Sequence, residues 1–274
     1  MTKKTKKKSF FQHLGQGFGI VLSNALIFLP ILVVVAFIDS KILHGALAIN
    51  EIDPNQSILN GQDPEAQSKL IALALTHMGL MLVTKSIIGP ALSIFVVIHA
   101  RATVLKQKLP LAKAFQFLLK RYKTVFIPYL LAMLSVQIGS IILIPGIFFM
   151  MQFAFVDSVA TLEQEKHVLS RSTRLTRTRR KTLVLLIVPY LLLGQGIQLA
   201  EFTYSSDLSA LMLINMAYEG LLILLLSVFY SLYHERVSLI AEMKARKAKA
   251  KEKASKQVEN SEQVTPEDKQ EHAK

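Results

Sequence analysis

The chain has 274 residues, of which 51% are hydrophobic, and its mean hydropathy is +0.39. It also carries 32 basic and 19 acidic residues, which give a net charge of +13. Because the chain is so apolar and yet has so many charges, the charged residues must be segregated from the apolar ones, which excludes an ordinary soluble globular domain. The absence of Cys excludes disulfides and thiolate-bound metal ions.

The chain begins with a lysine-rich segment, residues 1–17, and continues into a nearly uncharged block at 18–38. A secretory signal peptide begins in the same way. This block, however, is longer than the signal's apolar core of about 7 to 15 residues, and the small-residue pattern Ala46-Leu47-Ala48 lies too far beyond it for a cleavage site. We therefore expect the first block to be a membrane span.

Further apolar blocks follow the first one along the chain. Several exceed the roughly 18 to 20 residues that a helix needs to cross a hydrocarbon core of about 30 Å. The sequence therefore predicts an all-α, polytopic integral membrane protein with six transmembrane helices, whose membrane domain covers residues 18–233. The remaining five predicted spans are at about 70–100, 125–144, 147–160, 183–200 and 208–233.

The basic residues predict the orientation of these spans. If the N-terminus is cytoplasmic, 29 of the 32 Lys and Arg residues lie on that side, in the N-terminal segment, the loops 101–124 and 161–182, and the tail. This is the positive-inside pattern of a multi-pass protein of the bacterial inner membrane with both termini in the cytoplasm. The acids expected on the outer side are Asp39, Glu51, Asp53, Asp63, Glu65, Glu201 and Asp207.

The first basic loop has the pattern of an amphipathic helix in the headgroup region. Leu111, Phe115, Leu118 and Tyr122 recur at helical spacing, whereas the lysines point elsewhere. An exposed basic face next to a bilayer attracts anionic headgroups. The residues expected to contact lipid or a protein partner here are Lys113, Lys120, Arg121 and Lys123.

The second basic loop contains the sequence LSRSTRLTRTRRK at 169–181. Arg171, Arg174 and Arg177 follow one helical face, and we expect them to contact lipid or a partner. The apolar stripe opposite them is narrower than that of the first loop. This second interfacial helix should therefore be shallower in the membrane or rest against the bundle.

The two loops and their flanking spans also resemble copies of one unit, at about 85–140 and 143–200. The tetrapeptide Pro-Tyr-Leu-Leu occurs at 128–131 and again at 189–192, 61 residues later. Because both units enter and leave the membrane in the same direction, this would be a parallel repeat.

Several residues in the second unit form a known pattern: the run Leu-Ile-Pro-Gly-Ile at 143–147, aromatic residues at 148–155, Glu163, and the sequence LSRSTRL. This pattern resembles the membrane domain of bacterial glycerophosphoryl diester phosphodiesterases and of its stand-alone relatives. In that family it joins two spans through a cytoplasmic helix.

The resemblance covers about residues 86–193, and it departs from the family at Val156-Asp157 and at Val168, where proline and alanine are common. It implies a membrane domain without phosphodiesterase activity, since that chemistry resides in a separate soluble barrel. The stand-alone members are largely of unknown function.

Three ionisable residues lie inside apolar blocks, where a bare charge costs at least about 2.5 to 3.5 kcal/mol. Lys85 lies sixteen residues before Arg101, and Glu219 lies sixteen before Glu235. Both would therefore be roughly 24 Å from the same boundary. We consider three interpretations: a Lys85–Glu219 pair, two charges that face the outer interface, and a transport pathway. We expect Asp157, nearer the inner surface, to snorkel or to cap the second basic helix.

The last part of the chain, 234–274, should lie in the cytoplasm. Residues 234–255 have the composition of a charged helix, and those from 256 on form a polar tail that we expect to be disordered. The segment either adheres to anionic lipid or serves as a solvated topology anchor.

No sequence pattern supports an enzyme or a cofactor. The seven histidines lack metal-ligand spacing, and we expect His77 and His99 to be packing or interfacial residues. There is no glycine-rich phosphate loop and no serine elbow.

Two functions remain. The first is a non-catalytic scaffold or accessory protein that contacts anionic lipids or a cytoplasmic protein through its basic helices. The alternative is a small transporter or lipid-handling protein. Nucleic acid is not expected as a partner, because the basic residues alternate with membrane spans instead of forming a free domain.

Overall fold

The computed structural model describes residues 8–52, 64–140 and 144–263, and all regular secondary structure in these ranges is helical. Six helices are long and apolar enough to cross a membrane, namely α2, α3, α4, α5 continued by α6, α8 and α9. The all-α, six-span class predicted from the sequence is thereby confirmed. The helices are α1 Phe10–Ser23, α2 Ala25–Ile49, α3 Pro64–Val104, α4 Leu111–Ser140, α5 Ile144–Phe153, α6 Val156–Leu162, α7 Val168–Thr176, α8 Arg180–Thr203 and α9 Leu208–Gln263.

The first membrane helix begins later than the hydropathy predicted. Ser9 caps α1 through a capping box with Gln12, and α1 ends at Ser23. The side chain of Asn24 then donates hydrogen bonds to the Ile20 carbonyl (2.7 Å) and to Thr103 Oγ1 (2.9 Å). These bonds compete with helical hydrogen bonding at the junction, so the predicted span 18–38 divides into the end of α1 and the start of α2.

In the segment 39–69 between the first two predicted spans, residues 39–49 and 64–69 are helical, which corrects the position of several acids. α2 continues to Ile49 and α3 begins at Pro64, so that Asp39 lies within α2 and is only 2% exposed. Glu201 is likewise buried, within α8. The expected outer acids Asp53 and Asp63 lie outside the described residues.

The fourth span is interrupted. The sequence predicted one helix over 147–160, but α5 ends at Phe153 and α6 begins at Val156. Ser172 of α7 occupies the break: its hydroxyl donates to the Gln152 carbonyl (2.8 Å) and accepts from the Phe155 amide (3.3 Å). Backbone groups that the break leaves without helical partners are thus hydrogen-bonded by a side chain.

The two basic loops have different structures. The first does not form a separate interfacial helix, because α4 runs without interruption from Leu111 to Ser140 and carries Pro128 inside it. Only a short turn, in which Lys106 has φ 54°, joins α3 to α4. The second loop does form a separate helix, α7.

α2, α3 and α9 pack together through hydrophobic clusters. One cluster joins Phe28 to Leu92, Val96 and Ile223, and another contains Leu43, Ala46, Leu47, Leu73 and Leu211. Many other large apolar side chains point outward, including Leu26, which is 90% exposed. Such an apolar exterior is what a membrane-spanning bundle presents to lipid.

α1 is fixed to α9 around Val228 and Ser231 by polar and close contacts. His13 Nδ1 lies 2.7 Å from Ser231 Oγ, and the Ser231 hydroxyl also donates to Gln16 Oε1 at 2.8 Å. Next to them, a methyl group added to Gly17 would overlap Val228. Glycine at this position therefore allows the two helices to approach closely.

By its internal contacts the chain divides into two units. The first, Ser9–Tyr233, contains the bundle. The second comprises the N-terminal residues up to Lys8 and the chain from His234 on, in which the Lys8 amide donates to Glu235 (2.8 Å). α9 is helical as far as Gln263, whereas the composition from residue 256 on predicts a disordered tail. The rest of the predicted tail lies outside the described residues.

Candidate functional site

Three charged side chains meet inside the bundle. Lys85 Nζ of α3 lies 2.6 Å from Glu219 Oε1 of α9 and 2.8 Å from Asp39 Oδ2 of α2. The Lys85–Glu219 pair that the sequence suggested is therefore present, and Asp39 is a third member that sequence reasoning missed. We call Asp39, Lys85 and Glu219 the charged cluster.

The charged cluster carries one ammonium group against two carboxylates, and it is buried. Glu219 is 0% exposed and Asp39 2%, while the side chain of Lys85 is 19% exposed. Among the described residues, Asp39 Oδ1 and Glu219 Oε2 have no hydrogen-bond partner. Each acid thus pairs with Lys85 through one oxygen, and no described group donates a hydrogen bond to its other oxygen.

More polar groups lie around the charged cluster. Immediately after Asp39 in α2, the Ser40 hydroxyl donates to the Ala36 carbonyl and accepts from Asn215 Nδ2 at 3.1 Å. Next to Glu219, the Tyr218 hydroxyl accepts from the Tyr190 hydroxyl at 3.2 Å, and the two rings are stacked with centroids 6.0 Å apart. The cluster therefore lies in a polar layer built from α2, α8 and α9.

A cavity of about 190 Å³ lies beside the charged cluster. α2, α3, α4, α5, α6 and α9 all contribute to its wall, which is mostly apolar. The polar side chains of the wall are Lys85, Ser93, Tyr129, Gln137, Asp157 and Glu219.

Asp157 is a wall residue of this cavity. It lies in the first turn of α6, and its side chain hydrogen-bonds to Ser93. The expectation that Asp157 caps the second basic helix is wrong, because the N-cap of α7 is His167, which makes no side-chain cap. The break between α5 and α6 is what brings Asp157 toward the interior.

Gly89 determines where Tyr129 lies in the cavity wall. A methyl group added to Gly89 would overlap the hydroxyl and the ring of Tyr129. The missing side chain in α3 thus provides the space that the phenol of α4 occupies. His99 is a packing residue as expected: it is buried, and its ring contacts those of Phe28 and Phe95.

The residues of the family-like pattern form a second polar network. Glu163 accepts from Arg171 Nε (2.9 Å) and from the Tyr233 hydroxyl (2.9 Å). The hydrogen bond to Glu163 raises the pKa of Arg171, which keeps the guanidinium charged. Ser172 hydrogen-bonds across the helix break and Leu175 is fully buried, so these residues hold α6, α7 and α9 together.

The structure separates the predicted lipid-contact residues into two classes. Arg171 is engaged by Glu163, and Arg121 is partly buried with its guanidinium 6.0 Å from the ring centre of Phe117. The others are exposed on α4 and at α7, and we call them the exposed basic residues. They are Lys113, Lys120, Lys123, Arg174 and Arg177.

One exposed basic residue lines a second cavity. This cavity, of about 240 Å³, lies between the end of α3 and the start of α4. Arg101, Lys108 and Lys113 contribute three positive charges to its wall, beside the apolar side chains of Ile98 and Phe117. Cations next to apolar surface are suited to an anionic headgroup and the hydrocarbon attached to it.

No model of a known protein family matches the chain, and comparison with curated proteins and with solved structures gives no significant match. Within residues 8–52, 64–140 and 144–263, no group of His, Asp and Glu is arranged to hold a metal ion.

Proposed function

We propose that the chain is a lipid-handling or small transport protein of the bacterial inner membrane, with both termini in the cytoplasm and no catalytic activity. The observation that carries this proposal is the cavity beside the charged cluster. A bundle built only as an anchor has no need of an internal space, and buried charges inside a bilayer usually belong to a binding site or a transport pathway.

The cavity suits an amphiphile more than a small polar solute. Most of its wall is apolar, while its polar groups include the ends of Lys85, Asp157 and Glu219. Apolar surface accepts hydrocarbon, and a few fixed polar groups orient the head.

Filling the cavity tests this function. Ala132 of α4 is buried in the cavity wall, whereas Ala112 of the same helix is exposed. We expect Ala132→Leu to lose most of the lipid that the purified protein retains in mild detergent, as counted by native mass spectrometry. Ala112→Leu adds the same atoms outside and should retain as much lipid as the parent. Equal retention by both variants would contradict a lipid-handling role for the cavity.

A second candidate function is a scaffold or accessory protein that contacts anionic lipid or a cytoplasmic protein partner. The exposed basic residues and the cavity lined by Arg101, Lys108 and Lys113 support it. Each basic residue close to an anionic surface contributes about 1 kcal/mol. The protein in nanodiscs should therefore hold more phosphatidylglycerol around itself than phosphatidylcholine. The excess of phosphatidylglycerol should be smaller in the double variant that combines Lys108→Gln and Lys113→Gln. A lipid shell of the same composition in parent and variant would argue against this candidate.

A further inference from the structure

The wall of the cavity beside the charged cluster is unbalanced in charge, which bears on what the cavity binds. It presents one cation, Lys85, and two acids, Asp157 and Glu219. Asp39 adds a third acid immediately behind Lys85. Because Lys85 already pairs with two carboxylates at 2.6 and 2.8 Å, its charge is not available to a ligand.

An anionic headgroup is therefore a poor fit to this wall. It would have to displace a carboxylate from Lys85, and it would then lie next to the displaced acid and Asp157. Like charges at such distances repel strongly where little water separates them. A neutral head would leave the excess negative charge uncompensated.

Glu219 supplies the observation that indicates a cationic head. It is 0% exposed, it lines the cavity, and its Oε2 has no hydrogen-bond partner among the described residues. A buried carboxylate oxygen without a partner is costly, and an N–H donor removes that cost. A ligand ammonium group has such donors and the required charge.

The rest of the cavity wall suits a hydrocarbon chain attached to an ammonium group. The rings of Tyr129, Phe153 and Phe229 line the cavity, and aromatic faces attract ammonium groups. Leu92 and Leu222 add aliphatic surface. The wall thus combines acceptors for a cation with surface for a hydrocarbon chain.

We propose that this cavity binds an amphiphile with an ammonium headgroup, which Glu219 and Asp157 accept. The proposal rests on the lipid-handling function and names its ligand class. The ligand is either a single-chain amine or a lipid whose head ends in an amine, and both share this chemistry.

Competition between amphiphiles of equal chain length tests the ligand class. The full-length protein in a neutral maltoside detergent is mixed with equal amounts of dodecylamine, dodecyl phosphate and dodecanol, and the bound species are counted by native mass spectrometry. We expect dodecylamine to be retained at least about tenfold over dodecyl phosphate, a difference of about 1.4 kcal/mol. Preferential retention of the phosphate, or equal retention of all three, overturns the ammonium assignment but leaves the lipid-handling function standing. If none of the three is retained, both fail.

Two variants locate the ammonium group. Asp157→Asn removes one acceptor charge without breaking the Lys85 pairs, and we expect it to reduce the preference for dodecylamine severalfold. Glu242→Gln makes the same charge change outside the bundle and should leave the preference unaltered. An unchanged preference in Asp157→Asn contradicts the placement of the head.

A parallel competition between phosphatidylethanolamine and phosphatidylglycerol with identical chains distinguishes an amine-bearing lipid from a single-chain amine. Preferential retention of phosphatidylethanolamine identifies an amine-bearing lipid. Retention of dodecylamine without this preference identifies a single-chain amine. Preferential retention of phosphatidylglycerol that is lost in Ala132→Leu places an anionic lipid in the cavity and overturns the proposal.

Discussion

The charged cluster and the exposed basic residues are made of the same residue types, but burial gives them opposite meanings. Lys85 lies between Asp39 and Glu219, and removing it would leave two carboxylates with no counter-ion. Lys123 of α4 is exposed, and removing it would change only the local surface charge. A charge inside the bundle is therefore part of the structure, whereas a charge outside is available for contacts with other molecules.

The largest expected effect is the loss of Lys85. In Lys85→Met, two buried carboxylates lose their counter-ion, and breaking a buried pair in this way typically costs about 3 to 5 kcal/mol. Lys123→Met is the matched control, and we expect it to behave like the parent. The measurement is the thermal unfolding midpoint by circular dichroism in detergent. Equal midpoints for Lys85→Met and Lys123→Met would mean that the charged cluster matters no more for stability than the exposed basic residues do.

A charge exchange sharpens the same comparison. Lys85→Glu and Glu219→Lys should each give little folded protein, because the first leaves three acids without a cation and the second leaves two cations against one acid. The double variant again has one cation and two acids in the cluster, Asp39 being one of the acids, so it should recover part of the yield of monodisperse protein. A double variant no better than either single one would mean that direct pairing between 85 and 219 is unimportant.

An intermediate effect is expected at the break between α5 and α6. Ser172→Ala leaves the Phe155 amide and the Gln152 carbonyl without their side-chain partner, at a cost of about 1 to 3 kcal/mol. Ser170 lies on the same helix and is exposed, so Ser170→Ala provides the control. Chemical denaturation in mixed micelles compares them, and a Ser172→Ala variant as stable as Ser170→Ala would mean that the break is held by other contacts.

An effect of the same size is expected at Gly89. In Gly89→Ala the added methyl must displace the Tyr129 ring, and such overpacking costs typically about 1 to 3 kcal/mol. Gly79 lies in the same helix with open space around it, so Gly79→Ala should be neutral or stabilising by up to about 1 kcal/mol. The unfolding midpoints of Gly89→Ala and Gly79→Ala are compared. If only Gly79→Ala lowers the midpoint, the close approach of Gly89 to Tyr129 does not limit stability.

The smallest effect on stability belongs to the exposed basic residues. Arg174→Ala with Arg177→Ala should change the free energy of unfolding by no more than about 0.5 kcal/mol, as surface substitutions usually do. Arg171→Ala breaks the pair with Glu163 and should cost more than this double variant. If the double variant is less stable than Arg171→Ala, the stability of α7 depends on its exposed charges and not on the pair with Glu163.

The number of spans could be predicted because hydropathy and length are local properties. The pairing of Lys85 with Glu219 could also be predicted, because equal distances from a boundary follow from counting residues along helices. Asp39 was missed because a charged residue was interpreted as the end of the first span. The apolar residues that continue to Ile49 were the signal that the helix goes on.

The remaining differences come from contacts that are distant in sequence. No proline marks the break between α5 and α6, and Ser172, which hydrogen-bonds there, lies seventeen residues beyond Phe155. Likewise, the continuity of α4 depends on residues that form helices well despite their charge, so the charge pattern of the first loop did not reveal where a helix would begin.

The charged cluster also has a consequence for how the protein is made. Translation and membrane insertion proceed from the N-terminus, so α3 with Lys85 is synthesised well before α9. Glu219 lies 134 residues after Lys85, but Asp39 lies 46 residues before it. The acid that sequence reasoning overlooked is thus already synthesised when Lys85 is made, so a counter-ion is available to Lys85 before the last span exists.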